Sequence, residues 1–181
     1  SCVDAGCGMR RTGYKPIAEY GVIGNMRSVA LIGLDGSIDW CCLPHMDSPS
    51  VFAALMDVNR GGRFRLSVAG ARGEQRYIED TNILQTVFMT PSGRITVTDL
   101  MPLDGSLVGS GQTRAQAWIH RIVECEGVET TVDVEWEPRL NYACGYTSIT
   151  RTQNGWLARN GPDALSLSGM IKAGVRQDAA G

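Results

Sequence analysis

Apolar and polar residues alternate along much of this chain, in stretches too short for helices. In the segment 63–68 every second residue is apolar, and the segments 94–100 and 130–137 follow the same alternation. Successive side chains of a strand point to opposite faces of a sheet, so this pattern predicts strands with one buried face. The segment 81–90 is more continuously apolar and predicts a more buried strand.

Glycine-bearing turns separate these strands. Asp35-Gly36 suits a tight hairpin turn because glycine accepts a positive φ without steric cost, and Pro91-Ser92-Gly93 and Asn154-Gly155 predict two further turns. The pattern gives about ten short strands. They are predicted at residues 28–34, 37–43, 63–68, 74–79, 81–90, 94–100, 115–126, 130–137, 147–152 and 156–159, with one more near 165–167. No long helical period separates them, so the fold is expected to be all-β, an antiparallel β-sandwich.

One short helix is predicted at residues 50–56. Ser48 can cap its first turn, and Pro49 suits the first helical position because the N–H that proline lacks would be unbonded there. Four apolar side chains would then be available for burial, namely Val51, Phe52, Leu55 and Met56.

The sequence indicates one domain. Residues 14–172 are expected to form the sandwich, between an unassigned N-terminal extension at 1–13 and a polar tail at 173–181 that frays. The segment 101–113 is rich in glycine and serine and is predicted to be a loop.

Composition and charge exclude several classes of function. The chain has 181 residues, of which 43% are hydrophobic, and its 17 basic and 19 acidic residues give a formal net charge of −2. This balance predicts no binding to nucleic acid or to an anionic membrane. No apolar stretch approaches the roughly 20 residues needed to span a bilayer, and the first residues do not have the pattern of a secretory signal.

Six cysteines are present, but none of them forms a C-x-x-C pair. Cys41 and Cys42 together with His45 resemble part of a metal site, yet a further ligand at a suitable spacing is missing. Disulfide and metal roles stay open as alternatives, and the favoured interpretation is free thiols in a reducing compartment, which predicts a cytoplasmic location. The six are Cys2, Cys7, Cys41, Cys42, Cys125 and Cys144.

The segment 19–57 carries a resemblance to a known family. Its strand–Asp-Gly–strand–Trp–Pro–Asp-Ser-Pro pattern resembles the start of the N-terminal domain of family 15 glycoside hydrolases, the bacterial glucoamylase and trehalase group. Weaker matches follow in the order that the family has them. The matching residues are Gly24-Asn25, Ala30-Leu31, 35–40, Leu43-Pro44, 47–53, 77–86, 98–102, 120–123 and 138–142.

The resemblance implies a large antiparallel sandwich, of which this chain would be a truncated part, followed by a helical barrel that carries the catalytic carboxyl groups. No such helical array is encoded here, so no catalytic residue, metal ligand or cofactor is assigned to this chain, which is expected to be inactive alone. The parent protein would hydrolyse an α-glucosidic bond with inversion. His45 and His120 stand in no recognisable nucleophile motif, which argues against a catalytic triad.

Two loops are then expected to contribute to the rim of the active site or to contact the barrel. These loops are the glycine-rich segment 21–27 and the segment 44–50, which begins with a proline. The candidate residues are Asn25, Arg27, Trp40, Pro44 and Asp47. For each of them a structural role is the competing interpretation: a turn for Asn25 and Arg27, the core for Trp40, the end of a strand for Pro44, and backbone hydrogen bonds for Asp47.

Two other functions remain open. A stand-alone carbohydrate-binding module needs an exposed aromatic platform, for which the candidates are Trp40, Tyr142, Tyr146 and Trp156. A purely structural domain that forms homo-oligomers would pair through an unfinished sheet edge. The other two tryptophans, Trp118 and Trp136, are predicted to lie in the core by alternation.

Overall fold

The computed structural model describes residues 13–103, 117–127 and 130–169. These residues contain one 3₁₀ turn, Ile17–Glu19, and thirteen strands, and no α-helix. The strands are β1 (Tyr20–Gly24), β2 (Val29–Gly33), β3 (Ser37–Cys42), β4 (Ser50–Phe52), β5 (Phe64–Ser67), β6 (Gly73–Tyr77), β7 (Leu84–Thr90), β8 (Gly93–Leu100), β9 (His120–Gly127), β10 (Asp133–Trp136), β11 (Ser148–Thr152), β12 (Gly155–Asn160) and β13 (Asp163–Ser168). The predicted N-terminal extension up to residue 12, most of the predicted loop 101–113 and the predicted tail 173–181 lie outside the described residues.

The strands form three sheets, and every pairing among the described strands is antiparallel. A six-stranded sheet has the order β1-β2-β3-β5-β10, with β4 beside β3, and a four-stranded sheet has the order β6-β7-β8-β9. The third sheet is β11-β12-β13. The prediction of an all-β antiparallel fold is therefore confirmed.

The six-stranded and four-stranded sheets pack face to face around the core. Ile23, Ile32 and Ile38 of the first sheet join Leu84 of the second in one buried cluster. A second buried cluster joins Leu66 of β5 to residues of β7 and β8. Burial of these apolar side chains is the main stabilising contribution, at about 25 cal/mol for each Å² removed from water.

The Asp35-Gly36 hairpin is confirmed. Gly36 lies between β2 and β3 with φ of 76°, and its N–H donates to the carbonyl of Gly33 at 2.9 Å. A Cβ atom at this position would lie 2.1 Å from the carbonyl oxygen of Leu66, so the turn needs glycine for space as well as for conformation. The hairpins β7–β8 and β11–β12 also form where the sequence predicts them.

The predicted helix at 50–56 is wrong. Residues 50–52 form the strand β4, which pairs with β3 so that Phe52 faces Cys41 and Ser50 faces Cys42. All three residues of β4 are buried, and the carbonyl of Val51 accepts the N–H of Arg139, which is distant in sequence. These tertiary partners outweigh the local helix-start signal.

Two predictions of inward-facing residues are also wrong. Trp118 is 57% exposed and precedes β9, where its ring meets the edge of His120 with 6.1 Å between centroids. Val134, one of the alternating apolar residues of the segment 130–137, is 43% exposed in β10, the strand at the edge of its sheet. Trp136, on the same strand, does pack partly buried against the larger core cluster, as predicted.

Candidate functional site

The two loops singled out from the sequence lie against each other at one end of the six-stranded sheet. The backbone N–H of Met46 donates to the carbonyl of Arg27 at 2.7 Å. The hydroxyl of Ser28 donates to the carbonyl of Cys42. We call residues 24–28 and 42–50 the paired loops, because these bonds hold them as one surface.

Asn25 organises the first loop from inside. Its side chain is buried, and its Oδ1 accepts the backbone N–H groups of Arg27 at 3.2 Å and of Ser28 at 2.9 Å. Its own N–H donates to the carbonyl of Ser28 at 3.2 Å. This geometry places Met26 at φ of 66° with its side chain 94% exposed, so Asn25 shapes the loop while its neighbours face solvent.

The other four predicted residues divide into two groups. Arg27, Pro44 and Asp47 are exposed on the paired loops, and Asp47 lies in the turn where the N–H of Ser48 donates to the carbonyl of His45 at 3.1 Å. Trp40 lies in β3, opposite Leu31 of β2, and not on either loop. Its side chain is half-buried, whereas the other three side chains are exposed.

A third loop, at residues 141–143, adjoins the paired loops. No prediction from the sequence connected it to them. Asn141, Tyr142 and Ala143 all have positive φ, between 55° and 60°, which is a costly conformation for residues with a Cβ atom. The N–H of Tyr142 donates to the carbonyl of Ser50 at 3.3 Å, and its hydroxyl donates to the carbonyl of Ser48 at 3.4 Å. No local sequence signal marks this turn, since it lies about ninety residues away from its partners.

The four aromatic residues considered for a sugar platform differ in how much of each side chain is exposed to solvent. Tyr142 and Tyr146 are 50% and 81% exposed. Trp40 and Trp156 are both half-buried, and the guanidinium of Arg151 lies 5.9 Å from the Trp156 ring centroid. Of these four candidates, the two exposed ones are therefore the tyrosines, which lie in the loop between β10 and β11.

A group of charged side chains occupies the opposite end of β1–β3. The ammonium of Lys15 lies 2.8 Å from Oδ1 of Asp35 and 2.5 Å from Oδ2 of Asp39, and it also bonds Ser37. The hydroxyl of Tyr20 donates to Oδ2 of Asp39 at 2.8 Å. We call Lys15, Tyr20, Asp35 and Asp39 the ion-pair cluster. No local sequence pattern marks this cluster, because Lys15 and Asp39 lie 24 positions apart in the chain.

The electrostatics of this cluster argue against acid–base catalysis. Burial alone would raise the pKa of Asp35, but the Lys15 ammonium and the hydrogen bonds from Ser37 outweigh it and hold the pKa below its usual value. Burial, and then the bond to Asp39, raises the pKa of Tyr20 far above its ordinary value. Asp35 therefore stays ionised at neutral pH and Tyr20 stays protonated.

The adjacent cysteines of β3 are inert by the same reasoning. Cys41 and Cys42 are buried thiols that form no disulfide. Burial, and then the neighbouring Cys42, raises the pKa of Cys41 to about 12. Among residues 13–103, 117–127 and 130–169, no group of three or more His, Cys, Asp or Glu side chains is arranged to hold a metal ion. The same ranges contain no helix long and apolar enough to cross a membrane.

Comparison with known proteins gives a consistent picture. Residues 10–179 match the family described as "Trehalase-like, N-terminal". The chain is 32% identical to a trehalase of Thermoplasma volcanium over 161 residues, which cover 86% of this chain and 25% of the relative. It is 32% identical to a trehalase of Thermoplasma acidophilum, over 76% of this chain and 24% of the relative. It is 38% identical to a trehalase of Mycolicibacterium smegmatis over 95 residues, which cover 50% of this chain and 14% of the relative.

The lengths of these proteins differ from that of the chain. It spans about a quarter of the length of the two Thermoplasma trehalases that it matches. No solved structure matches it significantly.

Proposed function

This chain belongs to the trehalase-like N-terminal domain family, and from that premise we propose that it is the accessory domain of an α-glucoside hydrolase of glycoside hydrolase family 15. In this proposal a helical catalytic barrel belongs to the same longer protein and is the partner of this domain. The barrel carries both catalytic carboxyl groups, the substrate is trehalose or a related α-glucoside, and the location is cytoplasmic.

The observation that carries the proposal is the geometry of the paired loops. Asn25 is buried and holds its loop by three hydrogen bonds, and the second loop is bonded to the first through Met46 and Ser28. Rigid loops that present exposed polar residues, here Arg27 and Asp47, are suited to contact a substrate or a second domain.

The state of Asp35 and Asp39 supports a non-catalytic role. A glycosidase needs one carboxyl group that is protonated at working pH, which requires a raised pKa. Asp35 has a lowered pKa, and Asp39 is bonded to Lys15 and Tyr20. Both groups serve the fold, so catalysis is assigned to the proposed barrel.

A chimeric enzyme tests this proposal. The N-terminal quarter of the Thermoplasma volcanium trehalase is replaced by this chain, and glucose release from trehalose is measured for the chimera, for the trehalase without that quarter, and for this chain alone. We expect release by the chimera only. Glucose release by the purified chain alone, surviving an independent second purification, would show that a catalytic pair lies within this chain and would overturn the proposal.

Variants of the chimera then test the paired loops. Arg27→Ala and Asp47→Ala change exposed side chains, so we expect unchanged thermal unfolding and a loss of kcat/KM of about tenfold or more, equivalent to about 1.4 kcal/mol. Arg76→Ala is the matched control, because Arg76 is an exposed residue of the other sheet. Equal activity of all three variants would contradict the proposed position of the paired loops at the active-site rim.

The two exposed tyrosines favour a second role, direct contact with the sugar. Aromatic rings stack on the apolar faces of sugar rings. Titration of this chain with trehalose, followed by the amide resonances of residues 141–147, tests the role. Saturable shifts that disappear in Tyr142→Ala would support a carbohydrate-binding surface, and unchanged spectra would restrict the loop to a structural or domain-contact role.

A further inference from the structure

Backbone strain is concentrated at one end of the sandwich. Asparagine and aspartate tolerate a positive φ, but for methionine, tyrosine and alanine the Cβ atom makes this conformation costly. Strained residues of this kind cluster at functional sites, where the surrounding structure holds them in place. Among the residues that the structure describes, those other than glycine with a positive φ are Met26, Asp80, Asn141, Tyr142 and Ala143.

Hydrogen bonds join the loops that carry these residues. The side-chain amide of Asn82, in the loop 78–83, donates to the carbonyl of Gly24 in the first of the paired loops. Tyr142 bonds to the second of them through its N–H and its hydroxyl. All the strained residues therefore lie at the end of the sandwich where the paired loops are. We call the paired loops, together with the loops 78–83 and 141–143, the loop face.

Met26 has a side chain that the domain itself does not use. The residue has φ of 66°, and its side chain is 94% exposed. Glycine would adopt this backbone conformation without the steric cost, and almost no apolar surface would be lost from the core. The isolated domain gains nothing from methionine at this position, which points to a role for the side chain in contact with something else.

Two more large side chains of the loop face are exposed. Met46 is 61% exposed and Tyr142 is 50% exposed. Methionine is flexible and polarizable and adapts to irregular apolar surfaces, and tyrosine is enriched among the residues that dominate protein interfaces. The charged residues Arg27 and Asp47 are exposed beside them. Apolar side chains bordered by charged ones are typical of a protein–protein interface.

The lengths of the relatives indicate the kind of partner. This chain covers 25% of the Thermoplasma volcanium trehalase, so about three quarters of that protein lies outside the matched part. A sugar site would need rigid aromatic rings and convergent polar groups, whereas two of the three exposed anchors here are methionines.

We propose that the loop face docks against the catalytic domain of the same longer protein, with Met26, Met46 and Tyr142 as its apolar anchors. The identity of the partner rests on the proposed function. The inference adds that the contact is centred on apolar side chains and includes the loops 78–83 and 141–143.

Hydrogen exchange in the chimera described above and in this chain alone tests the docking. We expect amide exchange in the loop face to be at least tenfold slower in the chimera, because a docked surface excludes water. Exchange in the exposed strand β13 should be the same in both proteins. Equal exchange of the loop face in the two proteins would overturn the inference.

Methionine variants of the chimera test the anchors. Met46→Ala and Met89→Ala form a matched pair, because these side chains are 61% and 63% exposed and Met89 lies on the four-stranded sheet. Met46→Ala should speed loop-face exchange at least threefold, whereas Met89→Ala should leave it unchanged. Met26→Gly should also speed exchange in the chimera, yet it should leave the thermal stability of the chain alone unchanged or raised. Equal exchange in all three variants would contradict the anchors.

Other occupants of the loop face would give different results. A second copy would slow loop-face exchange in this chain alone as its concentration rises, and a sugar would slow it only when trehalose is added. Either result would overturn the docking inference.

The two proposals also fail separately. Glucose release by a chimera whose loop face exchanges as fast as in the chain alone would keep the proposed function and exclude docking through this face. Slowed loop-face exchange without glucose release would support docking and contradict the proposed activity.

Discussion

Arg121 and Asp99 form a buried, bidentate ion pair between neighbouring strands of the four-stranded sheet. Nε of Arg121 lies 2.7 Å from Oδ1 of Asp99, and Nη2 lies 3.1 Å from Oδ2, with both side chains almost fully buried. The same guanidinium donates to the carbonyls of Phe64 at 2.8 Å and Gly36 at 2.7 Å. One side chain therefore joins β8 and β9 to the six-stranded sheet.

Breaking this pair is expected to destabilise the domain severely. Asp99→Asn leaves the Arg121 charge buried without its counter-ion, which should lower the free energy of unfolding by about 3–5 kcal/mol. Urea unfolding measures the loss. Glu126→Gln is the matched control, because its pair with Arg94 joins the same two strands but is exposed, and it should cost less than about 1 kcal/mol. Similar losses of stability in both variants would refute the special contribution of the buried Arg121–Asp99 pair.

Two glycines with nearly equal φ separate conformational strain from steric clash. Gly36 and Gly70 have φ of 76° and 73°, but a Cβ atom would meet the Leu66 carbonyl only at Gly36. Gly70→Ala should cost about 1 kcal/mol from left-handed strain alone. Gly36→Ala should cost about 3 kcal/mol or more, because the backbone must also move. Thermal and urea unfolding of the two variants compare these costs, and equal values would contradict the close packing at the hairpin.

Adjacent residues of β7 report on the sandwich core. Phe88 is 1% exposed between the two sheets, and Met89 is 63% exposed on the other face. Phe88→Ala should lower the free energy of unfolding by about 3–5 kcal/mol, through lost burial and the cavity that it leaves. Met89→Ala should change it by less than about 0.5 kcal/mol. The reverse order would mean that β7 presents its other face to the core.

The turn held by Asn25 should depend on that side chain. Asn25→Ala removes the acceptor for two backbone N–H groups, which should cost about 1–3 kcal/mol. Met26→Gly should be neutral or stabilising, because residue 26 has a positive φ and its side chain faces solvent. Urea unfolding gives both values. A neutral Asn25→Ala variant would show that other bonds hold this loop.

Acid should weaken the domain partly through Asp35. Its pKa is lower in the folded state than in the unfolded chain, so the ionised group stabilises the fold above about pH 4, its unfolded pKa. This stabilisation is lost as pH falls through the folded pKa. Asp35→Asn should therefore flatten the acid limb of stability against pH below about 4, whereas Asp163→Asn, at an exposed position, should not. Acid limbs of equal slope would contradict the prediction.

The sequence by itself determined the local part of this structure. The Asp35-Gly36 turn and the strands beside it follow from one glycine and from alternation over a few residues, and the all-β class follows from repeating that pattern. The family resemblance also predicted Asn25, Arg27, Pro44 and Asp47 as candidates for the active-site rim or the barrel contact. The structure brings these four residues to one end of the sheet. Each of these inferences uses residues close together in the chain, where steric limits and side-chain periodicity act directly.

Only the tertiary structure decided the rest. Residues 50–52 carry a helix-start signal but form β4, because β3 and Arg139 supply their hydrogen bonds. The pairing of Lys15 with Asp39, the reach of Arg121 to Gly36 and the contact of Tyr142 with Ser48 join residues 24, 85 and 94 positions apart. Local propensities differ by less than about 1 kcal/mol for each residue, so long-range burial and hydrogen bonding override them.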